Sequence, residues 1–410
     1  MTIPEPDFDI ILWGATGFTG QLVAEYLATT YGADNSLRWA LGGRSEAKLQ
    51  AVQQSLLAYT SGVEVPLLIA DSDDDNSLRA MVERGRVICS TVGPYARHGT
   101  PLVALCAETG THYCDLTGEV QWMARVIPQY QAAAVASGAR LVHSCGFDSI
   151  PSDMGTWFLQ RQMLTRHGVS ARHVKSRVGR NRGTASGGTV ASMLEVLDEA
   201  KRDSSVRKLL TDPYALCPAG TTGPDQRDQS TARYDSDFHS WTSPFIMAAI
   251  NGRVVRRSHH LLGMPWGDDF RFDEAQLCKS RAQALRNALA MGGAMLGLAT
   301  TPVRKLLARF LPAPGEGPSR EQREAGHYEL FFHGLHPTDS ACDLRVRVAG
   351  QLDPGYGSTA RMLGEAAACL AQDPLTATGG FWTPASALGE HLYGRLTARA
   401  GLTFEEVAID

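Results

Sequence analysis

Gly14, Gly17 and Gly20 stand at three-residue intervals in the stretch Gly14-Ala15-Thr16-Gly17-Phe18-Thr19-Gly20. Such a loop offers bare backbone N–H groups instead of side-chain chemistry. Gly14 lets the chain turn, Gly17 lets a phosphate approach the main chain, and Gly20 lets the next helix lie close to what is beneath it. The N–H groups of Ala15, Thr16, Phe18 and Thr19, near the positive end of that helix, can then hold an anion. The G-x-x-G-x-x-G spacing differs from the commoner G-x-G-x-x-G but needs the same context, a strand before and a helix after. Both are present. Ile10-Ile11-Leu12-Trp13 is an apolar run that stops at Gly14, and Leu22, Val23, Tyr26 and Leu27 share one side of a helix. The expected ligand is the pyrophosphate of a dinucleotide, and the bland alternative is a tight turn that binds nothing.

The residue that closes the second strand selects the dinucleotide. Asp or Glu there would accept from ribose hydroxyls, whereas Arg meets a 2′-phosphate. The run Arg38-Trp39-Ala40-Leu41-Gly42-Gly43-Arg44 ends on Arg44, with Ser45 beside it and no acid. Asp34 lies at the expected distance from Gly14 but precedes this strand, so it is rejected. Arg44, pairing with phosphate through two N–H groups, reads for NADP(H).

The remaining polar candidates follow further apolar runs. Asp71 ends the run from Val65 to Ala70, and Thr91-Val92-Gly93-Pro94-Tyr95 follows Arg86 to Ser90. Asp115-Leu116-Thr117-Gly118-Glu119 ends the strand His112 to Asp115, and Ser144-Cys145-Gly146-Phe147-Asp148 follows Leu141-Val142-His143. Helical patterns from Glu46, Ser77, Leu102 and Gln121 alternate with these runs. The sum is six strands of a doubly wound parallel sheet, whose ligands bind outside the carboxyl ends of the strands. Asp71 is placed for an adenine edge, and Thr91, Val92, Gly93 and Pro94 for the nicotinamide ribose. Thr117, Ser152 and Asp153 sit where helix caps belong.

The 410 residues predict two or three domains. A net charge of −4 with no basic block argues against nucleic acid. The eight cysteines form no C-x-x-C pair and no zinc-like cluster with histidine, so the expected metal set is empty and free thiols in a reducing cytosol fit. The opening MTIPEPDFD has prolines and acids where a signal peptide needs basic and then apolar residues. The expected location is cytoplasmic.

GATGFTG, GGR at 42–44, TVGPY at 91–95, YCDLTGE at 113–119 and SCGFDSIPSD at 144–153 together resemble the saccharopine dehydrogenase-like oxidoreductases, most closely their trans-acting enoyl reductase branch. The resemblance continues through Gly187-Gly188-Thr189, the loop Pro314-Gly315-Glu316-Gly317-Pro318 and the ending GGFWTPASALGEHLYGRL. It implies an α/β chain in which an NADPH-binding Rossmann domain carries an inserted α+β domain. It also implies reduction of a carbon–carbon double bond in a polyketide or lipid acyl precursor held by a carrier protein or polyketide synthase. The expected organisation is 1–150 for the nucleotide, 151–350 for substrate and dimerisation, and 351–410 returning to the Rossmann domain. A homodimer is the expected assembly.

Beyond residue 150, Ala171 to Arg182 alternates basic and smaller residues and reads as the solvated face of an edge strand, or as a lure for an acidic thioester. Residues 190–201 read as a helix, 217–237 as a loop, and Tyr328 to His333 with Cys342 to Ala349 as antiparallel strands. The uncharged stretch 288–303 is too short to span a bilayer and is broken by Gly292-Gly293 and Pro302. With Arg281, Arg286, Arg304 and Lys305 around it, a helical hairpin near 282–311 could rest on the plasma membrane or line an acyl channel. A buried helix pair is the plain alternative.

Reduction of an enoyl thioester needs a hydride for the β-carbon, a donor facing the thioester oxygen and a proton for the α-carbon. Tyr95 and the N–H groups near Cys145 and Gly146 are candidates for the oxygen. Asp115 and Asp148 are candidates for the proton, and Cys145 for a nucleophile if a base lies close. Two other readings stay open: an amino-acid dehydrogenase of saccharopine type, using Arg177, Arg180 and Arg182 for substrate carboxylates, and an NADP(H)-binding regulator without turnover.

Overall fold

The computed structural model describes residues 5–32, 36–60, 62, 64–183, 187–224, 226–298 and 317–409. Two seven-stranded sheets organise the chain. The first contains β1 (Phe8–Trp13), β2 (Trp39–Gly43), β3 (Leu67–Ile69), β4 (Gly85–Ser90), β5 (His112–Asp115), β6 (Arg140–Val142) and β13 (Gly380–Trp382). Its order is β13-β6-β5-β4-β1-β2-β3, and every pairing is parallel. Parallel strands are covered on both faces, which is why β1 reads as an unbroken apolar run. Alternation along it splits the core in two. Ile10 and Leu12 pack in one layer with Val23, Leu27, Met362 and Leu363. Ile11 and Trp13 pack in the other with Leu78, Leu102 and Val126. Each such side chain contributes about 2 kcal/mol by leaving water.

The sequence implies six strands for this sheet, and the seventh, β13, comes from far along the chain. The C-terminal helix Thr359–Gln372 also joins it, packing on the helix Phe18–Tyr31. There the Tyr26 and Tyr31 hydroxyls both donate to Glu365 Oε1, at 2.6 and 2.8 Å.

The second sheet has β7 (His173–Arg182), β8 (Arg233–Asp235), β9 (Ser240–Ser243), β10 (Arg271–Cys278), β11 (His327–Leu335), β12 (Leu344–Gly350) and β14 (Leu402–Glu406), in the order β14-β12-β11-β7-β10-β9-β8. β7 is therefore central, flanked by β11 and β10, and the edge-strand expectation for Ala171 to Arg182 is corrected. Its basic residues remain because they are compensated. Arg177 pairs with Asp235 at 2.6 Å and Asp273 at 2.7 Å. β14 extends this second sheet, so the C-terminal segment serves both sheets.

The helix Ile150–His167 starts one turn earlier than the capping expectation requires. Ser149 holds the N-cap position, and Ser152 and Asp153 lie buried in the first turn. Ser152 Oγ donates to Glu274 at 2.7 Å, while Asp153 accepts from Ser258 Oγ and from the Ala385 N–H. Residue 34, the loop residues 314–316 and the far arm of the 282–311 hairpin lie outside the described residues. The near arm is the helix Arg281–Leu298. Among the described residues, no helix is long and apolar enough to cross a membrane.

Candidate active site

β1 passes into the glycine turn because β2 holds it there. The N–H groups of Gly14 and Ala15 donate to the Gly42 carbonyl at 3.0 and 3.2 Å, and Thr91 Oγ1 donates to the carbonyls of Trp13 and Gly14, both at 3.2 Å. Gly14 has φ +88°, and a Cβ there would stand 2.6 Å from Val92 Cγ2. Gly17 occupies the N-cap of the helix Phe18–Tyr31, and no side chain caps that end. A Cβ on Gly17 would meet only the Gly14 carbonyl oxygen, at 3.4 Å, so its other side is open. An uncapped helix start beside an open glycine fits the pyrophosphate of a dinucleotide.

Gly17, Phe18, Thr19, Thr91, Gly93 and Pro94 form one end of a cavity of about 1420 Å³. Gly14, Ala15, Thr16, Gly20 and Val92 lie behind this wall and shape it. Arg44, exposed, follows the last residue of β2, with no acid at the strand end. Asp71 also follows its strand, where its Oδ1 accepts the Asp73 N–H at 3.1 Å and shapes the turn into the helix Asp75–Val82. The other end of the cavity is apolar, with Met193, Val196, Leu197, Phe245, Ile250 and Met295 in its wall. The volume exceeds the roughly 300–1,000 Å³ of an ordinary ligand pocket. It has room for a dinucleotide and an apolar chain together.

The four candidate catalytic side chains separate. Asp148 lines the cavity. Its carboxylate has no hydrogen-bond or ion-pair partner among the described residues, and burial pushes its pKa up to about 6. Its Oδ2 would stand 3.8 Å from a Cβ on Gly118, which packs also against Ile250. Tyr95 lines the cavity too, but its hydroxyl is committed. It donates to the Ser90 carbonyl at 3.2 Å and accepts from the Leu116 N–H at 3.5 Å, while the ring stacks on Trp122. Burial raises its pKa well above that of a free phenol. The Tyr95 hydroxyl, expected as a donor to substrate oxygen, is thus already bonded within the protein.

Asp115 is completely buried and outside the cavity wall. It accepts from Tyr113 Oη at 3.0 Å, from the N–H groups of Thr117 and Ser144 at 3.1 Å each, and meets His143 Nδ1 at 2.8 Å. It ties the ends of β5 and β6 together and has no path to a substrate. Cys145 is likewise buried, its Sγ directed to the Val142 carbonyl at 3.5 Å, with burial raising the thiol far above its usual range. The base expected beside the Cys145 nucleophile is not found among the described residues: His143 is held by Asp115, and Cys145 is outside the cavity wall. The Cys145 N–H is spent on the Asp115 carbonyl at 2.6 Å, while Gly146 lines the cavity.

Glu119 is the residue that sequence reasoning passes over. Its carboxylate accepts the N–H groups of Tyr95 and Ala96 at 2.9 and 2.8 Å and Ser192 Oγ at 2.8 Å. It thereby caps the short helix Tyr95–His98 from a distant loop and joins it to the helix Gly187–Arg202, which roofs the apolar end. The sequence signal was an acid following Gly118 directly before a helix. Burial raises its pKa.

The three arginines proposed for paired substrate carboxylates do not converge. Arg177 is buried in its ion pairs, Arg180 meets Glu329 at 3.0 Å on the cavity wall, and Arg182 is exposed.

The saccharopine dehydrogenase NADP binding domain family matches residues 10–142, the span that builds the glycine turn and the first six strands, and NADP(H) is the cofactor. A trans-acting enoyl reductase of Mycobacterium bovis (strain BCG / Pasteur 1173P2) is 37% identical over 414 residues, 97% of each chain. One of Mycobacterium ulcerans (strain Agy99) is 37% identical over 421 residues, again 97% of each. A protein of Mycobacterium tuberculosis (strain ATCC 25618 / H37Rv), provisionally named for the same activity, is 40% identical over 421 residues, 99% of each chain. The fold is shared with apo saccharopine dehydrogenase (L-Glu forming) of Saccharomyces cerevisiae, with a TM-score of 0.53 at 12% identity, covering 97% of this chain and 99% of that one. With relatives this similar along nearly their whole length, the chain belongs to the trans-acting enoyl reductase family, built on the saccharopine dehydrogenase fold.

Proposed function

We propose that this chain is an NADPH-dependent enoyl reductase acting in trans on a polyketide or lipid acyl thioester, and that Asp148 is its proton donor. The observation that carries the reading is the Asp148 carboxyl, without a partner among the described residues, in a cavity lined both by the nucleotide loop and by apolar side chains. NADPH supplies the hydride for the β-carbon of the enoyl group. The Asp148 O–H bond then breaks as a C–H bond forms at the α-carbon, and the carboxylate takes its next proton from water. Its raised pKa keeps part of the population protonated near neutral pH, which a general acid requires. The Gly17 turn would hold the pyrophosphate of the cofactor and Arg44 its 2′-phosphate. The apolar lobe takes the acyl chain, presented on a carrier protein or polyketide synthase.

The same reading divides the chain into 1–150, 151–350 and 351–410, the last segment giving β13 to the first sheet and β14 to the second. It also gives the helix Arg281–Leu298 two faces. Met295 and Asn287 line the cavity, while Leu289 and Leu296 are 75% and 74% exposed. An apolar stripe beside the substrate lobe supports peripheral contact with the plasma membrane from the cytoplasmic side, by a homodimer that takes up lipid chains. Flotation with phosphatidylglycerol vesicles tests this. The intact chain is expected to float and the pair L289D/L296D to sediment, and equal behaviour of the two removes the membrane part.

The reaction is tested with NADPH deuterated at either C4 position and a panel of 2-enoyl thioesters, free and carrier-bound. Deuterium at the β-carbon is the expected result. Transfer only into amino-acid and keto-acid pairs would establish the saccharopine-type reading, and tight NADPH binding without any transfer would leave a regulator.

A further inference from the structure

Asp148 sits in the seven-residue loop 143–149, which is gripped on both sides. On one side the Phe147 N–H donates to Thr359 Oγ1 at 3.0 Å, and Thr359 Oγ1 donates to the Pro354 carbonyl at 2.8 Å. On the other, Ser149 Oγ donates to Asn251 Oδ1 at 3.2 Å. The Asn251 amide then donates from Nδ2 to Glu274 Oε2 at 2.7 Å. Glu274 Oε1 accepts from Ser152 Oγ at 2.7 Å and Ser176 Oγ at 2.9 Å. Every member of this second chain is buried. It runs from the loop after β6, through the helix Ala248–Leu261, to β10 and β7 of the other sheet.

A buried carboxylate is costly unless it is satisfied, and here three uncharged side chains donate to Glu274. The outcome is an asparagine locked in one orientation, because its Nδ2 must face Glu274 and its Oδ1 must therefore face Ser149. Among the described residues, none bonds to the Asp148 carboxyl itself. We propose that Asn251, oriented by Glu274, is a positioning residue that holds Ser149 and so fixes Asp148 in its water-poor place against Gly118. The proposal rests on the reading of Asp148 as proton donor.

Lys279, directly after β10, also lines the cavity, and other titratable groups on the surrounding elements are engaged within the protein. Glu119 holds the N–H groups of Tyr95 and Ala96, Asp153 holds Ser258 and Ala385, and Arg253 donates to the carbonyls of Ala249 and Leu210. The titration of Asp148 consequently reports its own burial.

The test uses the full chain with NADPH bound, in wild-type form and as N251A, S149A and D148N, with D148N combined with each of the other two. The pKa of Asp148 is read by carboxyl ¹³C NMR, and turnover is measured on a long-chain trans-2-enoyl coenzyme A thioester. Loosening the loop admits water, so N251A is expected to lower the Asp148 pKa by about one unit and turnover by about tenfold, with NADPH affinity held within about twofold. S149A is expected to move the same way by a smaller amount, and it carries the test alone should N251A not fold. Adding N251A or S149A to D148N is expected to change turnover no further. An unmoved Asp148 pKa in S149A and N251A, or a further equal loss on top of D148N, overturns the positioning role. Wild-type turnover in D148N overturns the proton-donor reading instead, and the NMR shift still judges the positioning by itself.

Discussion

A Cβ built on Gly20 stands 2.1 Å from the carbonyl oxygen of Gly14. The helix thus begins in contact with the turn that precedes it, and only hydrogen fits between them. At Gly17 the same test finds 3.4 Å to that oxygen and nothing else. The two glycines therefore fail differently. Gly20→Ala is expected to lower thermal stability sharply, since backbone has to move. Gly17→Ala is expected to melt as the parent does and lose NADPH affinity at least tenfold, because its methyl fills the phosphate's approach. Calorimetry and fluorescence titration separate the two, and equal loss of stability in both would refute the assignment of Gly17 to ligand.

Arg44 directly follows the last residue of β2, in the place an acid would hold to bind ribose hydroxyls. A hydrogen bond to a charged group contributes about 1.5–3 kcal/mol. Arg44→Ala should accordingly weaken NADPH about ten- to hundredfold and leave NADH nearly unaffected. Parallel titrations with both nucleotides check this, and equal weakening would remove Arg44 from the 2′-phosphate.

Tyr95 spends its hydroxyl proton on the Ser90 carbonyl. Tyr95→Phe should cost about 1 kcal/mol of stability, the usual worth of one such bond. Turnover per folded molecule should stay within about threefold, far from the loss of about a hundredfold or more expected of a general acid. A chemical denaturation series beside steady-state kinetics is the check, and a large fall in kcat would return Tyr95 to the chemistry.

Asp148, with its pKa pushed up to about 6 by burial, must be protonated to act. The value of kcat/KM should therefore fall as pH rises past about 6, since that ratio reports the free enzyme. Asp148→Asn should lose about a hundredfold or more in kcat with NADPH affinity retained. A variant whose pH profile keeps the parent's high-pH fall would show that another group titrates there.

The same carboxyl affects stability. Its folded pKa of about 6 lies above the ordinary value of 3.8, so between those two the folded chain holds a proton that the unfolded chain has released. Stability from this group is present below about pH 4 and lost as pH rises through 6, at most about 3 kcal/mol. Asp148→Asn, which breaks no hydrogen bond among the described residues, should match the parent near pH 4 and exceed it near pH 7.5. Urea midpoints at the two pH values measure the difference. A variant no more stable at the higher pH would mean that water reaches the carboxyl.

The nucleotide half was legible because its signals are local. Glycine spacing, apolar runs and the residue after each strand follow from turn sterics and the two-residue period, so Gly14 to Gly20, the first six strands and the place of Arg44 could be read without a partner in view. What could not be read depends on pairing between distant stretches. The basic alternation of β7 is the same string whether the strand is an edge or a centre, and only β10 and β11, arriving from residues 271–278 and 327–335, decide that it is central. Asp115, Cys145 and Asp148 are all polar residues at strand ends, and the sequence ranks them alike. Folding distinguishes them: Asp115 is consumed by four donors, Cys145 is sealed behind the wall, and of the three Asp148 alone faces the cavity, with no partner among the described residues. Sequence determined the glycine turn through local backbone geometry; tertiary structure decided which acid faces the cavity, because burial and hydrogen-bond satisfaction are set by neighbours on other strands and helices, from His143 beside Asp115, 28 residues on, to Asn251 beside Ser149, at a separation of 102.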